Sequence, residues 1–369
     1  MPIILLNTLL VATLVSLAIA WLIVRTSRWH GAVSGDPPAA GPQKLHTRTV
    51  PRIGGIAIAL GLLAGLASAR IQLAGSGVLS NWLWLVAALA LAFGFGLAED
   101  LTRRIGPWVR LSATFAAAAI ASAGGSLVLT RFDFAPLDAL LTMHIVMAFA
   151  LTLFCVGAVA HAYNLSDGLN GLLGGLALAA CCVIGSVAGQ IGDRDASVFA
   201  VALGGASLGF LLLNFPRAHL FAGDSGAYLI GTAVAFLGIM LAIRNPGVSP
   251  WLAFLSVIYP FTDTTFAILR RMWQGRGIMQ PDAEHLHSLL ARWLARKSST
   301  GGGAANPAAT ALILAGYAPF GLAAIAHARD STALILLACV FAVAYVSLWF
   351  LLRKVVSAEE SRLAGARAE

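Results

Sequence analysis

Long apolar runs separated by short polar stretches occupy nearly the whole of this sequence. Eleven of them have about the 17–25 residues that cross a bilayer as helix: 3–24, 53–69, 82–98, 109–126, 142–163, 170–190, 197–214, 225–243, 251–269, 308–327 and 331–352. In hydrocarbon each backbone N–H and C=O must be satisfied within its own segment, so the runs predict helices rather than open strands. The expected fold is therefore all-α, a polytopic integral membrane protein with about 11 transmembrane helices. One transmembrane domain covers 1–352, and 353–369 forms a tail. No internal repeat is evident, which weakens a transporter built from inverted halves.

Composition agrees with the pattern. The 369 residues are 59% hydrophobic and 11% charged, with a mean hydropathy of +0.84. A soluble domain carries about 25% charged residues, so too few are present here to cover a water-facing surface. The first run lacks a basic leader and a small-residue cleavage site, and is expected to stay as a helix. Cys155, Cys181, Cys182 and Cys339 all fall in apolar runs and read as small hydrophobes, not a disulfide or metal framework.

The loops set an orientation. Of the 24 Lys and Arg residues, Arg70, Arg131, Arg194, Arg244 and Arg329 fall on one side and the rest on the other. The basic side is expected in the cytoplasm, with the N-terminus periplasmic and the C-terminus cytoplasmic. The net charge of +8 has the same origin. No basic stripe with interleaved aromatics accompanies it, so no nucleic-acid partner is expected.

Five polar clusters lie on that basic side: "KLHTRTVPRIGG" (44–55), "GLAEDLTRRIGPWVRL" (96–111), "NLSDGLNG" (164–171), "NFPRAHLFAGDSG" (214–226) and "QPDAEHLHSLL" (280–290). Acids at membrane depth are costly and are functional candidates by default. Glu99 and Asp100 can hold Mg²⁺ through one or two oxygens or supply a base; a solvated helix end is the plainer reading. Asn164, Asp167 and Asn170 share a side if helical, although helix capping also explains them. "AGDSG" sets Asp224 in a glycine-rich turn whose backbone N–H groups suit phosphate; a simple N-cap is the alternative. His285 and His287 lack the further ligands that zinc needs, which favours hydrogen bonding or charge donation to phosphates. Asp263, near the end of its run, is a possible support for the same site. The rival class is an ion-coupled membrane transporter, which predicts polar groups near mid-span.

The ordered set of motifs resembles the bacterial polyprenyl-phosphate N-acetylhexosamine-1-phosphate transferases, which include the undecaprenyl-phosphate GlcNAc-1-phosphate transferases and the phospho-MurNAc-pentapeptide transferase. "HTRTVPRIGGIAI" resembles H-T-x-x-x-P-R-x-G-G, "NLSDGLNGL" resembles N-x-x-D-G-x-D-G-L, "NFPRAHLFAGDSG" resembles N-x-x-x-A-x-x-F-M-G-D-x-G, and "DAEHLHS" resembles D-R-x-H-x-H-H. Four positions depart from those patterns: Glu99 for the first acid of an Asp pair, Asn170 for the second acid of the third motif, Ala283 for Arg, and Ser288 for the last His. The departures resemble members that serve surface polysaccharides more than the peptidoglycan enzyme, which stays as the alternative.

The resemblance implies transfer of a sugar-1-phosphate from a UDP-N-acetylhexosamine, such as UDP-GlcNAc, to undecaprenyl phosphate, with release of UMP. The setting it implies is the cytoplasmic face of the bacterial inner membrane, at the start of O-antigen-like polysaccharide synthesis. It implies Mg²⁺, with Mn²⁺ as a substitute, and allows a homodimer. Asp224 is the leading metal ligand, joined by Asp100. Glu99, Asp100, Asp167 and His285 form the catalytic set, with Glu99 and Asp100 on the lipid phosphate. Lys44, His46, Asn164, Asn170, Asn214 and His287 bind substrate. Sugar selectivity is expected in the 271–306 loop, whose "SSTGGGAAN" tract reads as flexible linker.

Overall fold

A computed structural model describes residues 1–36, 49–78, 80, 82–277, 282–297 and 304–368. Side chains are described as far as residue 358. Among the described residues the chain forms fourteen helices: α1 (Pro2–Ser34), α2 (Gly55–Gln72), α3 (Trp82–Thr102), α4 (Pro107–Gly125), α5 (Ala135–Met143), α6 (Ile145–Ser166), α7 (Leu172–Ile191), α8 (Arg194–Asn214), α9 (Gly223–Arg244), α10 (Trp251–Ser256), α11 (Ile258–Trp273), α12 (Leu286–Lys297), α13 (Ala305–Ala326) and α14 (Ser331–Ala368). Two short strands, β1 (Gly35–Asp36) and β2 (Val50–Pro51), pair antiparallel.

Each of the eleven predicted runs falls on helix. Among the described residues nine helices are long and apolar enough to cross a membrane: α1, α2, α3, α6, α7, α8, α9, α13 and α14. The two others differ for local reasons. α4 opens with Pro107 and soon carries Arg110. The run at 251–269 is broken into α10 and α11 at Val257. The break follows from Pro260, which has no N–H and cannot bond the carbonyl four residues back. That carbonyl, on Ser256, instead accepts from the Tyr317 hydroxyl at 3.3 Å. The segment expected as a separate tail from 353 continues α14 as helix.

α9 is the axis of the packing. Some 94% of its apolar window is buried inside the protein, and it packs against α2, α3, α4, α6, α7, α8 and α10. Small residues allow this. A Cβ on Gly231 would lie 2.7 Å from the Ala160 Cα, and one on Gly96 of α3 would lie 2.7 Å from the Ser225 backbone. Close backbone approach through small residues is how helices associate where lipid supplies no hydrophobic drive.

Backbone pairing then carries the first motif to the fourth. Phe221 N–H donates to the Pro51 carbonyl, Gly54 N–H to Phe221, and Gly55 N–H to Ala222, at 2.8–2.9 Å. Residues 50–55 thereby lie along the turn that opens α9. The ends of α3, α6, α8 and α11 and the starts of α7, α9 and α12 surround this seam, so five stretches distant in sequence meet at one end of the bundle.

Candidate active site

A cavity of about 400 Å³ opens at that end. Its walls bring together Asn164, Asp167, Asn170, Asp224, His285 and His287 from the predicted set. Asp36, Arg52, Asp282, Ser288 and Asn306 add to the polar lining. Lys44 and His46 lie outside the described residues.

Asp224 sits in the first turn of α9. One carboxylate oxygen pairs with the Arg110 guanidinium; the other accepts from the Asn164 amide at 3.2 Å and lies 3.8 Å from Arg52. The Arg110 guanidinium also lies 5.8 Å from the centre of the Tyr228 ring. Asn164 therefore orients the Asp224 carboxylate, and two arginines hold its charge.

Behind this wall Asp100, fully buried, accepts from the backbone N–H groups of Asp224 and Ser225, both at 2.9 Å, and from Arg52 at 3.1 Å. It is the cap of α9, formed by a side chain from another helix. Gly223 makes the turn possible: its φ is +69°, and a Cβ would lie 2.0 Å from the Arg52 carbonyl and 2.5 Å from Asp100. Two expectations are corrected here. Of the N–H groups of "AGDSG" expected to suit phosphate, those of Asp224 and Ser225 are taken by Asp100, and that of Gly226 bonds the Ala222 carbonyl. Asp100 itself, expected as base and metal ligand, has its oxygens engaged and does not line the cavity.

Glu99 and Asn214 are corrected likewise. Glu99 accepts from Ile105 N–H at 2.7 Å, closing the turn after its own helix. Asn214 is buried, accepting from Gly171 N–H at 2.6 Å and donating to the Leu220 carbonyl at 2.8 Å. It ties the α6–α7 turn to the α8–α9 loop and has no face toward the cavity.

Asp167 caps the C-terminus of α6. Its carboxylate makes no hydrogen bond or ion pair among the described residues. Burial pushes its pKa up to about 7; the nearby Asp100 charge adds to the rise and Arg52 opposes it. Three residues on, Asn170 donates through its side-chain amide to the Pro216 carbonyl at 3.1 Å. Its backbone N–H donates to Asn306 at 2.8 Å, and its carbonyl accepts from Thr310 at 2.8 Å. The departure from an acid here has a physical reason, since a carboxylate has no proton to give Pro216.

The histidines form the facing wall. His285 Nδ1 lies 2.6 Å from the buried Asp263 carboxylate of α11. Burial alone would lower the His285 pKa, but the Asp263 charge and hydrogen bond outweigh it and the pKa is raised. His287 stacks on His285 with ring centres 5.3 Å apart, and burial pushes its pKa down to about 4. Its ring lies on Gly168, where a Cβ would come within 2.5 Å of Nε2. The glycine of the third motif is thus the floor for a histidine of the fifth. Arg52 and Arg110, read from the sequence only as orientation charges, both fall within quoted motifs, Arg52 at the Arg of the P-R-x-G-G pattern; that membership was the available signal. Asp36 carries no such signal.

A cavity at the ends of apolar helices, walled by acids, amides and arginines, defines a multi-pass membrane protein that handles charged, oxygen-rich groups. Comparison with known proteins agrees. The family model for glycosyl transferase family 4 matches residues 82–242. The decaprenyl-phosphate N-acetylglucosaminephosphotransferase of Mycobacterium leprae (strain TN) is 33% identical, over 67% of each chain. A probable undecaprenyl-phosphate N-acetylglucosaminyl 1-phosphate transferase of Bacillus subtilis (strain 168) is 28% identical, over 76% of this chain and 75% of its own. The undecaprenyl-phosphate alpha-N-acetylglucosaminyl 1-phosphate transferase of Escherichia coli O157:H7 is 29% identical, over 68% of this chain and 67% of its own. The chain belongs to glycosyl transferase family 4 and is a phosphoglycosyl transferase.

Proposed function

We propose that the protein transfers N-acetylhexosamine-1-phosphate from a UDP-sugar to undecaprenyl phosphate at the cytoplasmic face of a bacterial inner membrane. An oxygen of the lipid phosphate attacks the sugar-linked phosphorus, that phosphorus bonds the lipid oxygen, and its bond to UMP breaks. The product is a lipid-linked diphosphosugar, which starts a surface polysaccharide. The observation that carries the reading is the convergence of Asn164, Asp167 and Asp224 with His285 and His287 on one cavity where apolar helices end.

The residues fit a divalent cation. The Asp167 carboxylate, without a bond among the described residues, and the Asp224 carboxylate are hard oxygen donors of the kind Mg²⁺ takes, and a cation beside Asp167 would offset the burial that opposes its charge. Asp224 and Asp167 would hold Mg²⁺, with Mn²⁺ as a substitute, and the ion would neutralise phosphate charge. The protein's own groups do the rest. Arg52 and Arg110 draw phosphate oxygens toward the Asp224 wall and spread the charge that builds as the bond to UMP lengthens. Asn164 keeps the Asp224 carboxylate aimed. His285 presents a proton to a phosphate oxygen from the facing wall. Single displacement needs no covalent intermediate on these acids.

The test is purified protein with Mg²⁺, undecaprenyl phosphate and a panel of UDP-sugars, scored by UMP release. Release with an N-acetylhexosamine donor, abolished by EDTA and restored by Mg²⁺, is expected. No UMP with any donor would overturn the reading.

A further inference from the structure

Asp263 lies in an apolar stretch of α11, fully buried. Both of its oxygens are used. Oδ2 faces His285 Nδ1 at 2.6 Å, while Oδ1 accepts from Leu286 N–H at 3.2 Å and from the Tyr345 hydroxyl of α14 at 2.5 Å. The imidazole is therefore bonded at Nδ1 on the side away from the cavity, and Nε2 is the nitrogen left for the cavity that His285 lines.

A bond of this kind has two plain alternatives, and the structure weighs against each. One is that Asp263 merely fastens the 282–285 loop. That loop has other fasteners: Arg270 and Arg271 pair with Asp282, Arg270 and Trp349 donate to the Glu284 carbonyl at 3.1 and 2.6 Å, and Arg353 pairs with the Glu284 side chain at 2.7 Å. None of these touches the His285 ring. The other alternative is a metal held by Asp263, His285 and His287, whose candidate ligand atoms all lie within 4.8 Å of one another. Ligands about 2.0–2.2 Å from a tetrahedral zinc stand roughly 3.3 Å apart. At 2.6 Å, Asp263 and His285 share a proton.

We propose that Asp263 is the positioning residue for His285: its carboxylate, pinned by Tyr345 and Leu286, holds the ring with Nδ1–H inward and Nε2 toward the phosphate-bearing substrate. Carboxylate-anchored histidines present one nitrogen to the reaction because the other is engaged, and the carboxylate stabilises the imidazolium whose Nε2–H a phosphate oxygen can accept, which an amide in its place does not. This inference rests on the transferase reading above.

Kinetics of four variants in the full-length, Mg²⁺-supplied enzyme test it, after wild-type turnover has been scored. Asp263→Asn is expected to lower kcat about tenfold to a hundredfold and to leave KM for the UDP-sugar within about twofold. In a His285→Gln background the same change is expected to cost nothing further, because two residues that act as a unit are not additive. Tyr345→Phe removes one hydroxyl from the anchor; it is expected to lower kcat about threefold, again only when His285 is present. Arg353→Ala loosens the loop without touching the ring and is expected to leave kcat unchanged. If Asp263→Asn does not fold, Tyr345→Phe with and without His285 carries the decision by the same criterion. Additive losses in the His285→Gln background, an equal kcat loss in Arg353→Ala, or a bound zinc that disappears in Asp263→Asn would each overturn the assignment. A wild type without turnover removes the transferase reading; normal wild-type turnover with Asp263→Asn unaffected removes this inference alone.

Discussion

The two ends of the bundle use nearly the same residue types to opposite effect. At the end away from the cavity, Asp193 caps α8 by accepting from Ala196 N–H at 3.1 Å, and also accepts from Asn245 at 2.7 Å. Asp195 pairs with Arg244, which also lies 3.7 Å from Asp193. Arg131 donates to the carbonyls of Pro246 and Val248 just past α9. At the cavity end Asp100 is closed in the same manner and Asp224 is paired with Arg110 and Asn164 at the cavity wall, but Asp167, which lines the same cavity, makes no bond among the described residues. The difference lies in closure, not composition. An acid whose donors are all internal holds helices together, and one with unspent valence is placed for a ligand.

The strongest attempt to break this contrast is Asp224→Asn or Asp167→Asn. Each is expected to reduce UMP release about 10²–10³-fold, the scale of losing one preorganised charge contact, with little change in thermal midpoint. Full activity in either would remove the contrast. Asp100→Ala is expected to behave differently. It leaves two buried N–H groups and Arg52 without their acceptor, at a cost of about 3–5 kcal/mol, so detergent-solubilised protein should melt far earlier whether or not substrate is present. Asn170→Asp sets a carboxylate against the Pro216 carbonyl and is expected to cost about 1–2 kcal/mol; a more stable variant would contradict the donor role. Asp193→Ala removes a cap at the closed end for about 1 kcal/mol, with the rate of UMP release unchanged per folded molecule.

The smallest effect concerns pH. His285 has a raised folded-state pKa, so its stabilising contribution is complete below its ordinary value of about 6.5. It fades as pH rises through the folded value. Thermal midpoints should fall slightly as pH rises above 6.5, and a His285→Gln variant should lose part of that slope, the raised Asp167 pKa keeping the rest up to about pH 7.

Much of this could be read from the sequence, and the boundary has a physical sense. The helices were legible because hydrocarbon permits few alternatives. Asn164, Asp167, Asp224 and His285 were legible because an acid, an amide or a histidine in grease needs a reason, and all four line one cavity. Asp100, Glu99 and Asn214 stood out for the same reason, yet they are engaged inside the fold and do not line the cavity. A residue's type tells that it needs donors or acceptors, whereas only the fold tells that backbone groups of α9, Ile105 or Gly171 already supply them. Arg52 and Arg110 were hidden among loop charges. Tyr345 was hidden in an apolar run, since one hydroxyl scarcely alters hydropathy. Pro260 was a visible signal for the break in the ninth run that run length alone overrode.

The enclosure of α9 bears on how such a protein is made. Its sequence is apolar enough to enter a bilayer alone, yet its faces meet protein on nearly every side. Of the helices it packs against, α2, α3, α4, α6, α7 and α8 precede it in the chain, and α10 follows. Most of its socket has therefore left the ribosome before α9 does. The acid at its first turn reaches an Asp100 cap and an Arg110 partner that are already synthesised, so the Asp224 wall forms by insertion of a central part into a frame that came before it, and the His285 wall follows.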